Sequence, residues 1–340
     1  MSASASASNL ISAPQSKHCS KTAAHAAAEQ HSSPKILVFG SLNVDYVYEV
    51  PHFLQPGETL SSTSRHVYAG GKGLNQAVAL SKAGGNVSFS GAIGTVDGAI
   101  LLETLQSNNI NSQNVKQLTD VPSGHTFIQV DAHGQNCILL YGGANQTITS
   151  NDIDAALKSF SAGDCLVIQN ETNALYEIID KASAKGLYVC MNTSPIDDKL
   201  TKLPLHKCSL LIVNEIEGAA LSSLSADTDP KLMLQRLAEI YKDSSILLTL
   251  GSSGSLFLER GKQEPIACSA FKVEPEDTTA AGDTFLGYFI TMLRKGHEPS
   301  MAMTYASAAA AVAVTRHGAA PSIPYVHEVE DYLRAQGYSL

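Results

Sequence analysis

CLVIQNETNALYEIIDKASAKGLYVCMN, residues 165–192, is the stretch on which the fold turns. The apolar run CLVIQ (165–169) reads as a buried strand, Leu175–Ala184 as a helix and LYVCMN (187–192) as a second strand. A strand, a helix and a strand in so short a span make a βαβ unit, whose two strands lie parallel in one sheet. The same alternation continues outward. ILVFG (36–40), VSFSGAI (87–93), LLIVN (210–214) and ILLTLG (246–251) read as further strands, with helices at Leu74–Ala83, Ile100–Ser107 and Leu232–Tyr241 between them. The pattern predicts an α/β chain: a three-layer αβα, doubly wound, mostly parallel sheet with helices on both faces.

Two regions break the alternation. Tyr46–Val50 with Thr59–Tyr68, and His125–Asp131 with Gln135–Tyr141 around an Ala132-His133-Gly134 turn, read as β-ribbons spanning about 44–69 and 122–142. They predict a small β-sheet lid over the ligand end of the main sheet; the competing reading is two edge strands with no such role. Residues 1–34 differ again, being rich in Ala and Ser with Glu29 as the one acidic residue, and predict a disordered leader ahead of a single domain over 35–340. An organelle transit peptide is the alternative for that leader, against which stands its lack of Arg; it has no apolar segment suited to secretion.

Composition narrows the function. The 23 Lys and Arg against 32 Asp and Glu leave a net charge of −9, and with 44% hydrophobic and 16% charged residues the chain is neither disordered nor fibrous. A field of that sign repels phosphate backbones and anionic lipid, so no nucleic acid and no membrane is expected as the main partner. No run approaches the roughly 20 apolar residues of a membrane span. The six cysteines lack metal-ligand spacing and read as reduced, mostly buried thiols of a cytoplasmic compartment.

The strongest chemical signal is DTTAAGDTF (277–285), running into the apolar helix Leu286–Leu293. Small residues Ala280, Ala281 and Gly282 let the backbone turn tightly, leaving helix-start N–H groups aimed at one point, where an anion sits favourably. Asp283 is poorly placed to bind phosphate there, yet well placed to take a proton from a hydroxyl attacking it. The plainer reading is an acidic residue supporting a helix start. AGGKGLNQA (69–77) opens another helix; its glycines permit close approach of backbone to ligand, and Lys72 and Asn75 offer donors to a polar substrate. Polar residues follow several strands: Asn43 and Asp45, Glu171, NEIE (214–217) and TLGSSG (249–254). In a parallel sheet those ends share one edge, so the groups can converge, although each alone also reads as a cap or turn. Near the C-terminus the Ala-rich helix Ala308–Val314 leads into TRHGAAPS (315–322), a loop whose carbonyls can wrap a cation.

Taken in order, GSLNVD (40–45), GGKGLNQA (70–77), NEIE, TLGSSG and DTTAAGDTF resemble the phosphofructokinase-B-type carbohydrate kinase family, and within it the ribokinases. The resemblance runs from about Lys35 to about His327. It implies an ATP-dependent phosphorylation of D-ribose at O5, with Asp283 as base and the N–H groups of Ala280, Ala281 and Gly282 as anion hole. It further implies that Asn43, Asp45, Gly71, Lys72, Gly73, Asn75 and Glu171 hold the sugar. Asn214, Thr249, Gly251, Ser252, Gly254, Gly282 and Ser307 would line the ATP site, and Glu217 would manage Mg²⁺ through water. Asp277, Thr279, Ala313, Arg316, Gly318 and Ser322 match a K⁺ site, and a homodimer through the lid is expected. Departures are Ser307 where relatives carry His or Asn, NTSP (192–195) in place of Asn-Pro-x-Pro, and Asn170 before Glu171. A kinase for 2-deoxyribose, another pentose or a nucleoside is the alternative, and a sugar-binding protein without catalysis is the reading from another class.

Overall fold

The computed structural model describes residues 34–340, so the expectation of a disordered leader over 1–34 falls outside the described residues except for Pro34. The first part of the chain comprises β1 (Lys35–Phe39), β2 (Asn43–Glu49), β3 (Ser64–Gly70), α1 (Lys72–Lys82), β4 (Asn86–Gly94), α2 (Ala99–Ser107) and β5 (Asn111–Leu118). It continues with β6 (Gly124–Val130), β7 (Asn136–Tyr141), α3 (Ser150–Leu157), β8 (Cys165–Gln169), α4 (Leu175–Ala184), β9 (Tyr188–Asn192) and β10 (Leu210–Asn214). The remainder is α5 (Glu215–Ser222), α6 (Pro230–Ile240), β11 (Ser245–Thr249), β12 (Ser255–Leu258), β13 (Ile266–Cys268), α7 (Ala281–Arg294), α8 (Pro299–Val314) and α9 (Val326–Ala335).

The main sheet has nine strands in the order β13-β12-β11-β10-β9-β8-β1-β4-β5, parallel from β11 to β5, with β12 and β13 added antiparallel at one edge. Its strands read as continuous apolar runs because both faces are covered. In β1, Ile36 and Val38 enter the core shared with α1, α2, α7, α8 and α9, whereas Leu37 and Phe39 enter the core shared with α3 to α6. The helices show the complementary stripe. Leu175, Ile178, Ile179 and Ala182 of α4 are buried at the spacing of one helical face. From β1 the chain steps outward to β4 and β5, then resumes on the opposite side at β8, so the order reverses between β1 and β8. A crevice opens at the C-terminal ends of strands at such a reversal.

The two ribbons join into one four-stranded sheet, β3-β2-β6-β7, in which β2 and β6 are parallel and the outer pairs antiparallel. It hangs from the crevice: β2 begins three residues after β1, and β3 ends one residue before α1. Some boundaries differ from the sequence reading. Strand β2 starts at Asn43, which places Asn43 and Asp45 on the small sheet itself, and β3 starts at Ser64 instead of Thr59. Pro51 and Pro56 lack the N–H a ladder needs and Gly57 turns at φ 81°, so the intervening segment stays irregular. Helix α8 begins at Pro299, well before the Ala-rich run that announced it.

Candidate active site

Ala280 adopts the left-handed conformation (φ 59°) and caps α7 from its N-terminal side. The Ala281 N–H turns back to the Thr278 carbonyl at 3.3 Å, while among the described residues the N–H groups of Ala280, Gly282 and Asp283 have no protein acceptor. The free set is therefore shifted from the predicted one: Ala281 closes the turn and Asp283 contributes an amide. Nothing lies within 4 Å of where a Gly282 Cβ would be, and its φ is ordinary. A glycine that neither backbone strain nor crowding demands, placed among unpaired N–H groups at the positive end of a helix, leaves room for something outside the protein.

Asp283 is 7% exposed. Its Oδ2 accepts from Asn75 Nδ2 at 3.2 Å and its Oδ1 from Gln76 Nε2 at 2.9 Å, both on α1. The N-terminus of α1 is held against the end of β1: Lys72 N–H donates to Glu171 Oε2 at 3.1 Å, Gly73 N–H to Ser41 Oγ at 3.2 Å, and Ser41 Oγ in turn to Glu171 Oε2. Gly71 sits at φ 95°, which requires glycine, and a Cβ on Gly70 would lie 1.9 Å from Asp45 Oδ2 and so displace that carboxylate. From the small sheet, Asp45 Oδ1 accepts from Thr126 Oγ1 at 2.6 Å, and Asn43 Oδ1 from Asn145 Nδ2 at 2.7 Å. These contacts tie Asn43, Asp45, Gly71, Lys72, Gly73, Asn75, Glu171 and Asp283 to the mouth of one crevice.

The electrostatics follow from burial. Burial pushes the Asp45 carboxyl up to about 6, against the Thr126 hydroxyl and with help from the Glu171 charge. Burial likewise raises Glu171 although Ser41 and Lys72 oppose it. Lys72 is pulled down by burial, yet the carboxylates of Asp283, Glu171 and Glu217 outweigh this and hold its ammonium above the ordinary lysine range. The crevice thus carries a firmly charged lysine among carboxylates.

Beside Asp283 opens a cavity of about 260 Å³ lined by Lys72, Asn192, Asn214, Thr249, Gly282 and Asp283 among others. It lies over the C-terminal ends of β9, β10 and β11. Asn214 caps α5 in a reciprocal box with Glu217, whose carboxylate accepts from the Asn214 N–H (3.1 Å), Asn214 Nδ2 (3.0 Å) and Thr193 Oγ1 (3.0 Å). Gly251, Ser252 and Gly254 form the next turn, outside the cavity lining, with Leu250 N–H bonded to the Gly254 carbonyl at 2.8 Å. Ser307 lies buried in α8 and commits its hydroxyl to the Ser269 carbonyl at 3.1 Å.

The pfkB family carbohydrate kinase model matches residues 33–325. The chain belongs to that family. Relatives include the ribokinase of Staphylococcus aureus, 33% identical over 87% of this chain and 98% of its own, and the deoxyribokinase of Salmonella typhi, 30% identical over 88% and 98%. Among solved structures, the ribokinase of Arabidopsis thaliana complexed with ribose and ATP superposes with a TM-score of 0.78 at 26% identity, covering 90% of this chain and 100% of that one.

In this pfkB kinase the predicted cation residues occupy two facing loops, save Ala313, which lies in the last turn of α8. Asp277 Oδ1 accepts from the Thr279 N–H at 2.8 Å and Oδ2 from the Gly318 N–H at 2.9 Å, pinning the loop before α7 to the loop after α8. Burial raises the Asp277 carboxyl, but the Thr279 and Gly318 hydrogen bonds prevail and hold it below its ordinary range. The carbonyls of Thr279, Arg316, Gly318 and Ser322 accept no hydrogen bond among the described residues. That donor chemistry suits a hard monovalent cation. The Arg316 guanidinium points elsewhere, to Glu328 Oε1 at 2.7 Å, and the Ala313 carbonyl accepts from the Arg316 N–H at 3.0 Å. No cluster of three or more His, Cys, Asp or Glu suited to a metal occurs among the described residues.

Sequence reasoning left several site residues unassigned. Ser41 and Gln76 lie inside the motifs already quoted, so their position was the available signal. Thr126, Asn145, Gln169 and Thr193 carry no local signature; only their contacts reveal them.

Proposed function

We propose that this pfkB kinase transfers the γ-phosphoryl group of ATP to O5 of D-ribose, giving D-ribose 5-phosphate and ADP. The observation that carries the reading is Asp283, buried and braced by two amides, beside unpaired N–H groups at the start of α7 and open to the cavity that Lys72 and Asn214 share. Asp283 takes the O5 proton as that oxygen attacks the γ-phosphorus; the bond to the β,γ-bridging oxygen breaks and ADP leaves. The N–H groups of Ala280, Gly282 and Asp283, with Lys72, stabilise the charge on the transferring group without reorganising. Asn43, Asp45, Glu171 and Asn75 orient the neutral sugar; Thr249 and the Gly251–Gly254 turn border the nucleotide.

Asp277 and the free carbonyls of Thr279, Arg316, Gly318 and Ser322 would hold K⁺, which would add fixed positive charge beside the anion hole. With three protein donors already on its carboxylate, Glu217 would meet Mg²⁺ through water, and the ion would arrive with ATP to neutralise its phosphates. Similarity to the ribokinase complex with ribose and ATP supports this substrate pair.

The deoxyribokinase relative supports a second reading, 2-deoxyribose as substrate. ATP consumption over a sugar panel, with and without K⁺, separates the two: a site that pairs the 2-hydroxyl discriminates by orders of magnitude. Asp283→Asn is expected to lower kcat by about 100-fold or more with ribose still bound; near-normal turnover in that variant would remove Asp283 as base. The location proposed for the enzyme is the cytoplasm; separately, among the described residues no helix is long and apolar enough to cross a membrane.

A further inference from the structure

Behind Asp283 two buried amides stand in line, of which only the first touches it. Gln76 on α1 and Gln169 at the end of β8 are both fully buried. Gln169 Nε2 donates to Gln76 Oε1 at 2.7 Å, and Gln76 Nε2 donates to Asp283 Oδ1 at 2.9 Å. The two ends of a side-chain amide are nearly equal in shape, so partners decide which end faces where. Turned around, Gln76 would set its oxygen against the Asp283 carboxylate, acceptor to acceptor. Turned around, Gln169 would set its oxygen against that of Gln76. Only one orientation of the pair is compatible with an ionised Asp283. The cost appears at the far end, where Gln169 Oε1 is buried with no partner among the described residues. Gln169 thus leaves its oxygen unpaired while its nitrogen is committed to Gln76.

We propose that Gln169 and Gln76 form a polarity-setting relay, in which Gln169 fixes the Gln76 amide so that its N–H always meets Asp283 and holds one carboxylate oxygen in place. The other oxygen, lightly held by Asn75 at 3.2 Å, is left to meet the sugar hydroxyl. Both glutamines are positioning residues: neither lines the cavity, and each acts through Asp283. The relay rests on the reading of Asp283 as base.

Its test is steady-state kinetics with ribose and ATP on Gln76→Met, Gln169→Met, their double variant and Asp283→Asn, each checked by thermal melting. Methionine keeps the length and volume while removing the amide. Gln76→Met is expected to lower kcat about 10- to 100-fold with both KM values within about threefold, and Gln169→Met about 10-fold. The double variant should be no worse than Gln76→Met alone, because Gln169 works only through Gln76. Gln169→Glu, which replaces the donor by an acceptor, should be slower than Gln169→Met; it also serves if the methionine variant does not fold. If Asp283→Asn is impaired while Gln169→Met and Gln169→Glu turn over normally, the relay is wrong and the base stands. Losses that multiply in the double variant would likewise overturn the relay. If Asp283→Asn is itself active, base and relay fall together.

Discussion

At the scale of single residues, the site is defined by what is absent as much as by what is present. Gly282 has no steric or conformational reason to be glycine within the protein. Gly282→Ala should therefore fold normally, gaining up to about 1 kcal/mol in helix propensity. Its kcat should fall by about 100-fold as the methyl group fills the space beside the free N–H groups. Thermal melting with turnover measures both, and an active Gly282→Ala enzyme would contradict the anion-hole reading. Asp45 offers a second case with a definite sign. Its carboxyl is raised to about 6 by burial, whereas in the unfolded chain it titrates near 4. The folded state thus holds a proton that the unfolded state gives up between those values, so this contribution to stability is complete below about pH 4 and lost as pH rises through 6. Asp45→Asn should stabilise the sugar-free protein by on the order of 2 kcal/mol at pH 7.5 and hardly at all at pH 3.5, while weakening sugar binding. Urea unfolding at the two pH values gives the comparison; an equal gain at both would refute the burial argument.

At the scale of elements, helix starts and strand ends line the cavity beside Asp283, and the small sheet carries Asn43 and Asp45. Strand β7 is exposed along its whole length, with Ile138 55% and Leu139 69% exposed and Tyr141 at its end, and Phe127 on β6 adds apolar surface nearby. An edge strand so apolar is a liability for a lone molecule. The proposed homodimer would cover it. Leu139→Glu is expected to give a monomer by sedimentation with an unchanged melting profile for the main domain, and a wild-type chain that sediments as a monomer would end the dimer proposal. At this scale much was legible beforehand. Cys165–Gln169, Leu175–Ala184 and Leu210–Asn214 run as the sequence reading predicts, because each apolar run is buried on both faces or at one helical spacing. The small sheet was legible as two ribbons but not as one sheet. Its central β2–β6 pairing joins segments about 80 residues apart, and no local pattern announces a parallel partner.

At the scale of the whole molecule, β1 is the keel. Leu37 is fully buried between the sheet and the α3–α6 layer, and Leu37→Ala should cost about 3 kcal/mol in urea unfolding. A change below about 1 kcal/mol would mean that the layer can collapse onto the gap. The net charge of −9 also takes its meaning here. A neutral sugar held by Asp45 and Glu171, as proposed, would tolerate an acidic protein, while Lys72 and the α7 N–H groups would provide local attraction for an anion.

By itself the sequence determined the layered α/β architecture, the family and the turn that opens α7, since hydrophobic period, glycine placement and cap chemistry act over a few neighbouring residues. Tertiary structure alone decided which N–H groups remain unpaired, that Glu217 takes a bond from Thr193 besides its own helix cap, and that Ser307 turns to Ser269. It also decided the bracing of Asp283 by Asn75 and Gln76, about 200 residues away, with Gln169 behind them. A carboxylate's donors and an amide's orientation depend on what the folded chain brings within 3 Å, and no local stretch of sequence encodes that proximity.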